Sequence, residues 1–280
     1  MDSYDGPLPT DEDVASFREH GYWISPVIIP AEVLDAAEEG MRRFYAGERD
    51  RMLPGGQDAG GWTDADGDVL RKNDYSSLRV EQLAALVAYP AIGACAAALS
   101  GAGAIRLWHD QLLYKPVDAP DVPANVGWHT DRQYWQCCTS ERMLTAWVCF
   151  HDFDPAGGSV GFVDRSSHWD VTGLDFFSQD LDGLARSVEA QGHAMDVVPT
   201  TMKRGQVSFH NCKTIHGSGP NRSGAPRRSI AIHLQDGDNA WREHRDAAGT
   251  NADHTNNRLV RRVDGRPDYT DPAVCPTLYP

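Results

Sequence analysis

The run Val126-Gly127-Trp128-His129-Thr130-Asp131 ends a short β-prone stretch, and both the fold and the chemistry of the chain turn on it. Side chains two apart on a strand point to the same face, so His129 and Asp131 can address one metal ion together. Far downstream, His216-Gly217-Ser218-Gly219-Pro220-Asn221 follows a strand-like run at 206–210 and leads into a Gly-rich turn. His216 completes a set of two histidines and one carboxylate. Such a set takes one face of an octahedral ferrous ion and leaves the other positions open to a co-substrate and O₂. A lone His-x-Asp arises easily by chance. Its place at a strand end, where barrel strands open into a pocket, and the answering His216 raise it above that level.

Around this motif, β-prone runs at 104–115, 126–131, 143–152, 158–163, 195–199, 206–210 and 227–235 alternate with Pro, Gly and Asp clusters. A helical prefix, about 9–100, precedes them. Thr10 is placed to cap a helix from Asp11 that His20-Gly21 closes, Tyr22-Trp23-Ile24 is a short strand, and Pro30 suits the first turn of a second helix. In that helix Val33, Leu34, Ala37, Met41 and Phe44 recur at helical spacing. Residues 80–99 read as a helical pair broken at Pro90. Helices followed by seven or eight short strands predict a mainly β fold, a double-stranded β-helix (jelly roll, cupin-like) over about 103–235 with the helices packed on one sheet. The 48–79 stretch reads as an extended loop of the kind that forms lids or binding loops. Asp64, Asp66 and Asp68 imitate the start of a calcium loop, but Val69 and Tyr75 stand where such a loop needs Gly and Glu. The tail from about residue 240 is polar and irregular, with Trp241, Leu259 and Tyr279 as anchors. One domain is expected over 1–280.

The formal charge of −14 argues against a nucleic-acid partner, which needs a basic surface. No basic and apolar leader opens the chain, and no run approaches the roughly 18 apolar residues of a membrane span, so no membrane association is predicted. The six cysteines form no C-x-x-C pair or regular framework, which predicts reduced thiols and a cytoplasmic location. The adjacent Cys137-Cys138 reads as two small strand or loop residues.

The chain resembles the phytanoyl-CoA dioxygenase family of Fe(II)- and 2-oxoglutarate-dependent oxygenases. The resemblance is carried by Thr10-Asp11-Glu12, Phe17-Arg18-Glu19-His20-Gly21-Tyr22, Asp110-Gln111-Leu112-Leu113-Tyr114-Lys115-Pro116, the His129/Asp131 and His216 motifs, and Gly157-Gly158-Ser159, in order. It implies that His129, Asp131 and His216 ligate iron and that Arg227 pairs with the distal carboxylate of 2-oxoglutarate. Strand alternation lets only one of Arg227 and Arg228 face the interior. It further implies that Ser218 supports that carboxylate, that Trp147 walls the co-substrate site, and that Gln111 touches co-substrate or substrate. Tyr134, Trp135 and Trp62 are expected on the pocket wall. His210 is expected behind the ligands or in the core. His109, His151, His168 and His233 are expected to be structural, with His109 able to line the pocket. Arg165-Ser166-Ser167-His168 departs from the family's Pro-Gly-Ser-His turn.

The activity so implied is oxidation of an unactivated C–H bond of a small metabolite with release of succinate and CO₂, most simply hydroxylation in natural-product tailoring. Stereoinversion, ring closure and desaturation are the alternative outcomes. Halogenating relatives lack the carboxylate ligand, so Asp131 speaks against that chemistry. The acidic composition favours an uncharged or aromatic small molecule. A zinc-dependent hydrolase would leave Arg227 without a co-substrate and lacks an evident general base. A non-catalytic binding protein would have no need of the full ligand set.

Overall fold

Thr10 accepts a hydrogen bond from the Asp13 backbone N–H, and its own N–H and hydroxyl donate to Asp13 Oδ2. That reciprocal cap starts α1 (Asp11–His20). Gly21 ends the helix at φ 88°, in the left-handed region that glycine reaches without strain. The computed structural model describes residues 4–57, 59–119, 124–246 and 249–280. After α1 come β1 (Tyr22–Ile24), α2 (Ala31–Tyr45), β2 (Arg71–Asp74), α3 (Glu81–Val87), α4 (Pro90–Ser100), β3 (Ile105–Lys115) and β4 (Val126–His129). Then follow β5 (Leu144–Cys149), β6 (Gly161–Val163), α5 (Leu181–Ala190), β7 (Val197–Pro199), β8 (Val207–Asn211), β9 (His216–Ser218) and β10 (Arg227–Asp236). Last come α6 (Asn256–Leu259), β11 (Arg262–Val263), β12 (Arg266–Pro267) and β13 (Thr277–Tyr279).

Two antiparallel sheets make the double-stranded β-helix. The larger has the order β1-β8-β5-β10-β3-β13, with β2 also paired to β3, and the smaller has the order β4-β9-β6-β7. Strand alternation divides the larger sheet into two faces. One face carries Leu112, Ala146, Val148, Phe209, Ile230 and Ile232, which join Phe17, Leu34, Phe44, Leu83 and Ile92 of the helices in one apolar core. The other face carries Gln111, Thr145, Trp147, His210, Arg227 and His233, and these line a cavity against the smaller sheet. Hydrophobic burial thus fixes the helical side of the sheet, and the same register delivers polar groups to the interior of the barrel.

Four expectations are corrected. Asp131 has left the strand, because β4 stops at His129 and Thr130 caps a 3-10 turn that Asp131 begins, Thr130 N donating to Gln133 Oε1. The 48–79 stretch is not all loop, since β2 pairs with β3 from Arg71 opposite Tyr114 to Asp74 opposite Gln111. The tail is more ordered than its polarity implies. Leu259, Val260, Tyr269, Val274 and Cys275 pack with Trp108 and Trp135 in a second core, and β13 joins the larger sheet. Finally, Glu81–Ser100 is long and apolar enough by composition to cross a membrane. It is the α3–α4 pair meeting at Pro90, with Leu83, Leu86, Ile92 and Cys95 buried in the main core, which accounts for its composition.

Candidate active site

His129 Nδ1 lies 2.8 Å from the Gly127 carbonyl oxygen, and His216 Nδ1 lies 2.9 Å from that of Thr214. A carbonyl only accepts, so each Nδ1 carries the proton and each Nε2 keeps its lone pair for a metal. The two Nε2 atoms sit 3.9 and 3.8 Å from Asp131 Oδ1. One donor atom from each of the three residues falls within 4.8 Å of the others, and all three residues are buried. Burial lowers the pKa of both imidazoles, well below the ordinary value for His216, so at neutral pH both hold the uncharged form that ligates. Burial opposes ionisation of Asp131, but the imidazoles of His233, His216 and His210 outweigh it and hold the carboxyl well below its usual range.

Pairing of β4 with β9 sets His129 opposite His216. The other carboxylate oxygen is committed elsewhere: Thr145 donates to Asp131 Oδ2 at 2.6 Å and lies 2.7 Å from His233 Nδ1. His210 Nε2 stands 3.3 Å from the same oxygen without hydrogen-bond geometry. His129, Asp131 and His216 therefore form a two-histidine, one-carboxylate facial triad, typical of Fe(II)/2-oxoglutarate oxidoreductases, with one carboxylate oxygen turned to the metal side and the other fixed from behind.

An inner cavity of about 50 Å³ holds the ligands together with Gln111, Trp147, Ser218 and Arg227. An outer cavity of about 240 Å³ shares Gln111, His129, Asp131, Phe176 and His233 with it and continues to His109, Tyr134 and Trp135. Arg227 is buried and Arg228 exposed, as the alternation of β10 requires. Arg227 Nη1 donates to Gly158 O, its Nε has no partner, and its guanidinium carbon lies 5.2 Å from the Trp147 ring centroid. Burial brings the Arg227 pKa down to about 10, so it stays charged. Trp147 Nε1, Ser208 Oγ, Ser229 Oγ, His109 Nδ1 and His233 Nε2 are also buried without partners. Buried polar atoms are normally bonded, and this group of orphans lies on the strand faces that enclose the metal site. The donor set and these orphans fit a ferrous ion and an anionic chelating co-substrate.

Several side chains fall outside the expected arrangement. Trp62 is not on the cavity wall. It packs against Tyr45 and Arg71, and its indole N–H donates to Gly67 O. His233, expected to be structural, stands 3.7 Å from Asp131 Oδ2 and lines both cavities. His151 and His168 are peripheral: His151 accepts from the Arg228 backbone N–H, and His168 lies near the Arg18 and Glu19 carbonyls. Asp66 accepts from Thr63 N and Oγ1, a local cap in place of a calcium ligand. The sequence reading missed Lys72, Asp74 and Phe176. Lys72 and Asp74 arrive with β2, and Phe176 packs edge-on against His129 at 4.8 Å between centroids. All six cysteines are free and buried.

A profile of the phytanoyl-CoA dioxygenase (PhyH) family matches residues 17–229. The peroxisomal phytanoyl-CoA dioxygenase of Bos taurus is 22% identical over 169 residues, 60% of this chain and 49% of that one. The chain thus spans about half the length of the curated relatives it matches. The epimerase SnoN, solved with Fe3+, alpha ketoglutarate and nogalamycin RO, superposes with a TM-score of 0.65 at 24% identity, over 83% of this chain and 85% of that one. EctD from S. alaskensis, solved with 2-oxoglutarate and 5-hydroxyectoine, gives 0.67 at 21% identity, over 86% and 81%. These structural likenesses show a shared fold. The profile match takes in all three triad residues and Arg227, and on it the chain belongs to the phytanoyl-CoA dioxygenase (PhyH) family.

Proposed function

We propose that this protein is an Fe(II)/2-oxoglutarate-dependent dioxygenase that hydroxylates an unactivated C–H bond of a small uncharged metabolite. The observation that carries the reading is the convergence of His129, Asp131 and His216 beside a cavity that buries Arg227. When bound, iron and 2-oxoglutarate with O₂ supply the oxidising power, ending in succinate and CO₂. The chain's own residues position and shield. Arg227 and Ser218 receive the distal carboxylate, Trp147 walls that end, and Gln111 stands where the two cavities meet. Arg227, bonded to Gly158 O, already lines the inner cavity and is the group an entering carboxylate would meet there.

The outer cavity is the place for the substrate. Its aromatic walls, Tyr134, Trp135 and Phe176, suit an apolar or ring-bearing molecule, and the charge of Lys72 is matched by Asp74 at 3.0 Å. Its size favours a small metabolite or a single ring of a larger one. The test is oxygen uptake coupled to succinate release across a metabolite panel, with products read by mass spectrometry. Gain of one oxygen supports hydroxylation, loss of two hydrogens means desaturation or ring closure, and an unchanged mass with altered chirality means stereoinversion. His129→Ala and Asp131→Ala are expected to abolish turnover with the fold intact by circular dichroism. Turnover retained in either variant would refute the metal assignment.

A further inference from the structure

Lys115 is fully buried at the end of β3, directly opposite Arg227 on β10. Cross-strand partners leave the sheet on the same face, so two cations are set side by side in the interior. Like charges in that relation destabilise a sheet, and a buried ammonium without a counter-charge costs far more. Among the described residues neither cation makes an ion pair. Lys115 Nζ donates to Ser218 Oγ and Gly219 O, each at 2.6 Å, and to Ser218 O at 3.3 Å, while Arg227 donates to Gly158 O. All of these acceptors are neutral, and the charges that Lys115 feels are Arg227 and, more weakly, the exposed Asp118. Burial and the neighbouring Arg227 hold the Lys115 pKa well below its ordinary value, and two basic groups answered only by neutral oxygens are arranged to receive an anion. The hydroxyl of Ser218 has a fixed direction as well. Ser218 Oγ already accepts from Lys115, so its own proton is free to be donated, and Ser218 lines the cavity into which Arg227 reaches.

We propose that Lys115 is a positioning residue for the co-substrate, acting through Ser218: it holds the hydroxyl as a donor to the distal carboxylate and sets a second basic group beside Arg227. The inference rests on the 2-oxoglutarate reading above. It also gives a purpose to a lysine that the fold alone would replace with an apolar side chain at lower cost.

The test measures anaerobic binding of 2-oxoglutarate and of 2-oxobutyrate, which lacks the distal carboxylate, to the Fe(II)-loaded protein by the visible chelate band. Lys115→Met is expected to weaken 2-oxoglutarate about 10- to 100-fold, the span of a hydrogen bond to a charged group. Binding of 2-oxobutyrate and of Fe(II) is expected to stay unchanged, with Lys115→Arg recovering part of the loss. Should Lys115→Met fail to fold, Lys115→Gln, which keeps a donor for Ser218 but not the basic group, is measured in its place, and a smaller loss still confined to 2-oxoglutarate is expected. Equal weakening of both keto acids, or an unchanged 2-oxoglutarate constant in the folded variant, overturns the inference alone. No 2-oxoglutarate binding by the wild type overturns the oxygenase reading with it.

Discussion

Thr145 holds one oxygen of Asp131 and leaves the other facing the His129 and His216 imidazoles. Its hydroxyl occupies Oδ2, and the His233 imidazole stands behind it. Thr145→Val removes that donor at nearly constant volume. It is expected to weaken metal binding about 10- to 100-fold, as loss of an outer partner of a ligand does, measured by competition with a chromophoric chelator. An unchanged affinity would show that Oδ2 is held by other means. Arg227 and Arg228 are neighbours with opposite surroundings, one buried and one exposed. Arg227→Ala is expected to raise the KM for 2-oxoglutarate at least 10-fold, whereas Arg228→Ala leaves it within twofold; the reverse order would move the anchor to Arg228. At this scale the ligands were legible because two of them share one short motif. Thr145 and the approach of His233 were not, whereas His210 was expected behind the ligands or in the core and stands 3.3 Å from Asp131 Oδ2. They come from β5, β8 and β10, and only the pairing of those strands brings them to Asp131.

At the scale of elements, the close approach of β4 to β9 depends on glycine. A Cβ on Gly217 would stand 2.8 Å from Val126 O and 2.9 Å from Trp128 Cε3, and one on Gly127 would collide with Asp175 O. Gly127 N donates to Phe176 O at 2.9 Å, so the same residue ties the 175–178 segment over the metal site. Gly127→Ala is expected to displace that segment and raise the KM for the primary substrate, with less effect on the KM for 2-oxoglutarate. Equal effects on both would show that the damage reaches the ligands themselves. β9 escaped the sequence reading because His-Gly-Ser has little strand propensity and is held as a strand by its neighbours on both sides. α1, α2 and the α3–α4 pair were legible in full, since caps, glycine and proline mark their ends locally. α5 carried no such clear frame in the reading and went unassigned.

Over the whole molecule, the buried histidines tie stability to pH. Burial lowers the pKa of His233 to about 4 and that of His109 well below 6.5. The unfolded chain therefore binds protons below pH 6.5 that the folded chain refuses. Stability falls as pH drops from about 6.5 toward 4, by up to about 1.4 kcal/mol per pH unit for each such histidine. Urea midpoints of chelator-treated protein across that window check this, and a flat profile would show that these rings do not stay neutral in the fold. The fold class was legible from the rhythm of helices followed by short strands. The ordered tail was not, because its contribution is a few apolar residues packed on Trp108 and one strand laid on β3, contacts with no local signature.

The outer edge of β3 has two covers from distant parts of the chain: Arg71–Asp74 on one half, and residues 277 and 279 on the other. During synthesis the three metal-binding side chains have all emerged while half of that edge still lacks its cover. A nascent chain at that stage offers an open backbone ladder to any passing strand. The edge of β3 is thus complete only once Thr277 and Tyr279 pair with it, more than sixty residues after the last of the three ligands.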